Sequence, residues 1–226
     1  MTKTLARVFA ASCLALAPLA AGPAPAVAAE PVVLPLTDAV VALPLAGESR
    51  DGYTRDAFRH WNAGADPTDG CTTRGEVLLA EAVTAPAVGA RCTLTGGSWL
   101  SYYDKVTVTD TSSLDIDHMV PLAEAWDSGA SAWSAARREA YANDLGQQSS
   151  LVAVTARSNR SKSDQDPAEW LPPAPDAVCR YVAEWTATKL RWSLTTDQSE
   201  RDRLTELADG CGDTTVTYAP ERDAGS

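Results

Sequence analysis

Two runs of the chain, Asp115-Ile116-Asp117-His118-Met119-Val120-Pro121-Leu122 and Ser158-Asn159-Arg160-Ser161-Lys162-Ser163-Asp164, decide how it is read. Both lie between Leu114 and Trp170, and both look built to meet around one cation. In the first, the alternation of an extended segment puts Asp115 and Asp117 on one side and Ile116 and His118 on the other, unless the strand stops there. Pro121 supplies a stop, because it has no N–H to give to a ladder and biases Val120 away from helix. At the frayed end of a strand, a carboxylate and an imidazole can be turned toward one cleft. Asp117 suits a hard divalent cation, and His118 has the side chain whose ordinary pKa lies nearest neutral. The second run adds a neutral oxygen ligand, Asn159, close to Arg157, Arg160 and Lys162. Oxygen ligands, one imidazole and several cations suit a phosphate ester better than a peptide.

Asp-His, then an apolar strand, then Asn-x-x-Lys is similar to the pattern of the HNH (His-Me finger, ββα-metal) endonucleases. Asp-x-Asp-His-x-Val-Pro with Asn-Arg-x-Lys-Ser-Asp also resembles the HNH domain of RNA-guided DNA nucleases. From about Gly52 to Cys211 the chain resembles small secreted bacterial HNH-family proteins. The resemblance implies an α+β fold with a ββα-metal (His-Me finger) core over residues 114–170, to which the patterns below add a β-hairpin, flanking helices and two disulfides. It implies Asp117 and Asn159 as ligands of one divalent ion, Mg²⁺ or Mn²⁺, His118 as general base, and DNA or RNA as substrate. Arg160 and Lys162, with Arg157, would add positive charge at the phosphate. The family's middle Asn, which braces the histidine, is Ser150 here, and the Ser150 hydroxyl is the expected brace. An Asp-His pair alone is usually a surface hydrogen bond, and Asn-x-x-Lys alone is weak. Their order, with a strand between them and a Pro after the first, carries the reading. One competing reading is an exported nucleic-acid- or partner-binding module with an inactive HNH-like fold. Another is a metallohydrolase of a different ester or of peptide, which lacks support: H-E-x-x-H is absent, and two histidines are too few for a usual zinc site.

The context of these motifs is an exported chain. Residues 1–29 carry Lys3 and Arg7, then an uncharged run, then Ala26-Val27-Ala28-Ala29, which fits a secretory signal with an A-x-A cleavage site. Pro18, Pro23 and Pro25 argue against an intact membrane-spanning helix, and no later segment is apolar enough to cross a bilayer. The expected product is a secreted monomer without stable membrane association. Removing Cys13 with the signal leaves Cys71, Cys92, Cys179 and Cys211, an even number that points to two disulfides. No C-x-x-C pair supports a zinc site instead. The formal charge of −11 argues against tight nonspecific binding to nucleic acid, although turnover needs only a local cationic groove.

In order, residues 30–51 read as an extended lead-in, followed by one HNH-type nuclease domain over residues 52–213. Tyr53 to Asn62 reads as a short helix burying Phe58 and Trp61, with His60 a packing or helix-surface residue. Thr73-Arg74-Gly75-Glu76 reads as a capping box opening a helix through Val83, with Arg74 either a phosphate contact or an ordinary surface arginine. From Arg91 the period becomes two, predicting a hairpin or meander. A helix from Ser131 or Ser134 to Leu145 puts Trp133, Ala136, Ala140 and Tyr141 on one stripe. Leu151 to Thr155 is the second strand of the finger and Ala156 to Ser163 its helix. Asp164, Asp166 or Glu169 is either a further metal ligand or, the favoured reading, a brace for Arg160 and Lys162. Asp176 caps a helix with Val178, Tyr181, Val182, Trp185, Lys189 and Trp192 on one face, and Asp197 opens another. Packed as an antiparallel hairpin over residues 176–210, these two helices bring Cys179 beside Cys211, leaving Cys71 for Cys92. Residues 214–226 read as a flexible tail.

Overall fold

A computed structural model of the chain describes residues 30–221; the leader expected over residues 1–29 and residues 222–226 of the tail lie outside the described residues. Strand β1 (Val32–Pro35) and helix α1 (Leu36–Ala42) come first, then a long loop holding one 3-10 turn at Arg55–Ala57. Helix α2 (Thr73–Ala80) leads into the short strands β2 (Ala82–Thr84), β3 (Ala87–Val88), β4 (Leu94–Thr95), β5 (Ser98–Ser101) and β6 (Val106–Val108). Strand β7 (Leu114–His118) and helices α3 (Leu122–Asp127) and α4 (Ala135–Ala142) precede strand β8 (Leu151–Thr155) and helix α5 (Ala156–Lys162). Helices α6 (Val178–Trp192) and α7 (Gln198–Asp209) and strand β9 (Thr215–Tyr218) follow. The chain is thus mixed α and β, with two disulfides.

Its centre is the antiparallel pair β7–β8, in which Leu114 faces Thr155 and His118 faces Leu151. All five residues of β8 are buried, although an antiparallel strand often has one wet face. Both faces of this pair are covered. Leu114, Ile116, Leu151 and Ala153 pack with Val77, Leu78 and Trp99. On the other face Val152 and Val154 join the larger core, with Tyr181, Val182 and Trp185 of α6. Helix α5 starts directly after β8, capped by the Thr155 hydroxyl, which accepts from the Ser158 N–H at 3.2 Å. Hydroxyls of Thr155 and Ser158 both donate to Asp104 Oδ2, tying the start of α5 to the β5–β6 hairpin.

Of the hairpin or meander expected from Arg91 onward, β5 and β6 pair as a hairpin. Strand β4 does not pair with β5 but turns back to β3, and β2 adds to the other edge of β5, both partners lying before Arg91. Both disulfides pair as expected: Cys71 with Cys92, and Cys179 with Cys211, the latter joining the start of α6 to the end of α7. On α6, Tyr181, Val182, Trp185, Lys189 and Trp192 are buried. The buried Lys189 ammonium explains how a cation sits on that face. It reaches Glu124 Oε1 of α3 at 2.8 Å and Glu200 Oε2 of α7 at 2.5 Å, and also the Ser128 hydroxyl and the Thr195 carbonyl. Among the described residues, no helix is long and apolar enough to cross a membrane.

Several local expectations are corrected. The lead-in is not simply extended, since Leu36, Ala39, Val40 and Leu43, at helical spacing, are buried by α1. Nor is the tail loose throughout: β9 pairs antiparallel with β1, Val32 facing Tyr218, and buries Val216. Tyr53 to Asn62 forms a single 3-10 turn, because Trp61 takes a positive φ of 61° that a helix excludes. Thr72, not Thr73, caps α2, so Glu76 falls one place beyond the capping-box position. Helix α4 starts after its Ser134 cap and buries Tyr141 and Ala142, leaving Ala136 and Ala140 exposed. Asp176 pairs with Lys105 at 3.1 Å and does not cap α6.

Candidate active site

At the end of β7 an open cavity of about 490 Å³ is lined by Asp117, His118, Asn159 and Arg160, together with Tyr53 and Arg55 from the loop before α2. The two sequence runs therefore do meet. Alternation holds to the end of the strand: Ile116 packs with Leu114 on one face, and His118 lies against Trp61 on that same side. Asp117 points the other way, toward α5 and Tyr103. Because β7 stops at His118, both side chains still border the cavity.

The His118 ring is only 6 % exposed. It stacks on Trp61, ring centroids 5.5 Å apart, with the ring of His60 edge-on at 6.1 Å. His118 Nε2 lies 3.0 Å from the carbonyl oxygen of Ala142. A carbonyl only accepts, so Nε2 carries the proton and Nδ1 is left with the lone pair. Burial, with smaller contributions from His60 and Arg55, pushes the imidazole down to about 3, against the opposing pull of the Ala142 carbonyl. The ring is neutral at physiological pH and held in one tautomer. A tryptophan in a sparsely populated backbone conformation helps hold it there, a kind of strain that concentrates at functional sites.

Asp117 accepts from the Tyr103 hydroxyl at 2.7 Å and from Lys162 Nζ at 2.6 Å, both on Oδ2. Among the described residues no hydrogen bond falls on Oδ1, which remains for the cavity. Burial raises Asp117 and lowers Lys162 from their ordinary values, while the ion pair pulls both back toward their charged forms. Asn159 is half-buried, and its Nδ2 donates to Asp115 Oδ2 at 3.2 Å. That bond fixes which end of the amide is nitrogen and turns Oδ1 away from Asp115. Two oxygens, Asp117 Oδ1 and Asn159 Oδ1, are thus the cavity's candidate ligands for a hard cation, a donor set that fits Mg²⁺ with its retained waters.

Two expected site residues sit differently. Lys162 is fully buried and gives its three N–H bonds to Asp117 Oδ2, the His118 carbonyl at 3.0 Å and the Met119 carbonyl at 2.9 Å. It clamps the end of β7 and cannot reach a phosphate, because Ser158 and Lys162, four residues apart, form the inward face of α5. Ser150 does not touch His118. Its hydroxyl donates to Asp144 Oδ2 at 2.6 Å, within a network that also holds Arg191 and Trp192. The Ala142 carbonyl braces the ring in its place, and a backbone brace leaves no signature in the side-chain pattern. Arg160 is exposed on the cavity rim, its Nε 3.7 Å from Asp115 Oδ2. Asp164 pairs with Arg50 rather than with Arg160 or Lys162, and that bond holds its carboxyl below the usual range. Arg50 also bonds Asp127 at 2.6 Å, so it straps the loop that carries Tyr53 and Arg55 to α3 and to the segment just after α5. Arg74 donates to the carbonyls of Thr111 and Leu114 at 3.0 and 3.1 Å, bracing the start of β7. Glu48, Glu124 and Glu200 bring carboxylate oxygens within 4.8 Å of one another, but the Lys189 ammonium already occupies that cluster.

The family model described as GmrSD restriction endonucleases, C-terminal domain, matches residues 89–207, just over half of the chain and including both runs. A protein of Arthroderma benhamiae, described as an uncharacterized secreted protein, is 40% identical over 162 residues, which cover 72% of this chain and 77% of its own length. No solved structure matches the chain.

Proposed function

The chain belongs to the family of the C-terminal domain of GmrSD restriction endonucleases, and from that premise we propose that it is a secreted HNH-type endonuclease cleaving nucleic-acid phosphodiester bonds. The observation that carries the proposal is the state of His118: a buried, neutral ring whose Nε2 is committed to the Ala142 carbonyl, beside Asp117 and Asn159 in one cavity. Nδ1 takes the proton from a water attacking phosphorus. General-base catalysis uses the unprotonated ring. It is the ring's place beside Asp117 and Asn159, not the depth of its pKa shift, that suits it to the role, since a base works best with a pKa near the operating pH. The strand pair β7–β8 followed by α5 has the element order of the ββα-metal core that the sequence pattern implies.

Asp117 Oδ1 and Asn159 Oδ1 would hold one Mg²⁺ or Mn²⁺ ion. When bound, such an ion supplies charge neutralisation at the phosphate oxygens and the leaving group. Lys162 and Tyr103 keep the Asp117 carboxylate in place, and Asp115 orients the Asn159 amide. Trp61 and Tyr141 flank the His118 ring. The reading of an inactive binding module draws on Ser150 and on the acidity of the chain; the Ala142 brace weakens the first motive and leaves the second standing. Export is supported by the leader pattern, the two disulfides and the secreted relative.

The test is incubation of the purified mature protein with plasmid DNA, and separately with RNA, in Mg²⁺ or Mn²⁺ against an EDTA control. Metal-dependent loss of intact substrate is expected. Substrate that stays whole with both metals sinks the proposal.

A further inference from the structure

A nuclease with a formal charge of −11 must hold a polyanion with very few cations, so those at the cavity decide how substrate is gripped. Lys162 is buried and fully bonded, and Arg50 is spent on Asp127 and Asp164. Two arginines remain on the cavity lining, Arg160 of α5 and Arg55 of the 3-10 turn. Arg160 leans loosely toward Asp115. Arg55 is exposed, and among the described residues its guanidinium has no hydrogen bond or ion pair to protein.

The position of Arg55 is nonetheless built. Three residues on, Phe58 is fully buried against Tyr53, Trp126 and Tyr141. Its N–H bonds the Arg55 carbonyl at 3.1 Å, and Arg138 holds the Ala57 carbonyl. On the other side Arg50 staples the loop to α3 and to Asp164 just after α5. A rigid turn therefore presents an unpaired guanidinium at the cavity that holds His118, near enough for its charge to disfavour the imidazolium. Arginine offers planar, two-pronged hydrogen bonding suited to a phosphate.

We propose that Arg55 is a phosphate ligand for the nucleic-acid substrate, acting with Arg160 so that electrostatic grip rests on about two phosphate contacts. This rests on the nuclease reading above and adds to it a substrate-binding residue on an element outside both sequence runs. The physical consequence is shallow salt dependence. At roughly −0.9 per neutralised phosphate on duplex DNA, log affinity against log salt has a slope near −1.8. Losing one contact halves it.

The experiment measures binding of a fluorescent duplex to His118→Ala protein in Mg²⁺, where the substrate stays uncut, across a salt series with and without Arg55→Ala. The expected slope falls from about −1.8 to about −0.9, while Arg55→Lys keeps the steeper slope and Arg203→Ala, on α7 and outside the cavity lining, changes nothing. In cleavage-competent protein, Arg55→Ala raises KM about tenfold or more, the size of one charged hydrogen bond, with kcat nearly unchanged. Equal slopes for Arg55→Ala and its parent overturn the proposal, as does absence of binding at low salt. A fall in kcat at constant KM, with a shifted pH profile, also overturns it by assigning Arg55 to His118 instead. A wild-type protein that never cleaves would refute the nuclease reading alone, and the slopes would still decide the role of Arg55.

Discussion

Lys162 Nζ lies 2.6 Å from Asp117 Oδ2, with the lysine side chain wholly out of solvent and the aspartate 5% exposed. The lysine of Asn-x-x-Lys thus serves the fold and the site at once. It cancels a buried carboxylate, ties the last two carbonyls of the β7 end to α5, and leaves the second carboxylate oxygen for the cavity.

Substituting that lysine tests the arrangement. Lys162→Met strands a buried carboxylate and should cost about 3–5 kcal/mol, the usual penalty for removing one partner of a buried pair. Urea unfolding measures it. Stability within about 1 kcal/mol of wild type would mean the ammonium is not where this pairing puts it.

His118 carries a pH signature. Folding lowers its pKa from about 6.5 to about 3, so the unfolded chain takes up a proton first as pH drops. Its contribution to stability is complete above pH 6.5 and is lost on acidification toward 3. An NMR titration should show the ring staying in the Nε2–H form through pH 5. Titration near 6.5 would contradict the buried, carbonyl-bonded ring. His118→Ala should fold, keep metal affinity and lose cleavage by about 10²-fold or more.

Ser150→Ala separates bracing from packing. Asp144 keeps both Arg191 bonds and the Trp192 indole when the Ser150 hydroxyl goes. The expected cost is about 1 kcal/mol of stability with kcat essentially retained. A drop of 10²-fold in kcat without loss of fold would restore Ser150 to the site.

Around Lys189, three carboxyls share one ammonium. Burial, then the neighbouring Glu124, raises Glu48 to about 8, and burial raises Glu200 to about 7. Raised carboxyl values mean that the folded state holds protons the unfolded chain has released. Stability should therefore fall as pH climbs from about 4.5 through 7 and 8. Melting temperature against pH checks this, and Glu48→Gln should flatten the alkaline fall. An unchanged slope in that variant would show that Glu48 does not titrate within the cluster.

The sequence by itself determined the local pieces and the two motifs. The alternation of β7, the continuous apolar run of β8, the abrupt stop before Pro121, the Asn159 helix and the periodic stripe of α6 are all set by short-range patterns. So is the Cys179–Cys211 pairing, once α6 and α7 are antiparallel. The helical spacing of Leu36, Ala39, Val40 and Leu43 likewise marks α1 within the sequence. What only the tertiary structure decided is which polar atom meets which. Lys162 reads as a phosphate contact in the string of residues, and folding turns it inward because α5 presents Ser158 and Lys162 to the end of β7. The brace on His118 comes from a main-chain carbonyl in a loop that no side-chain pattern marks. Arg55 reaches the cavity across some sixty residues of sequence, placed there by the burial of Phe58 and the Arg50 staple. Hydrophobic periodicity is local and survives in one dimension, whereas the pairing of buried charges depends on distances that exist only after the chain has closed on itself.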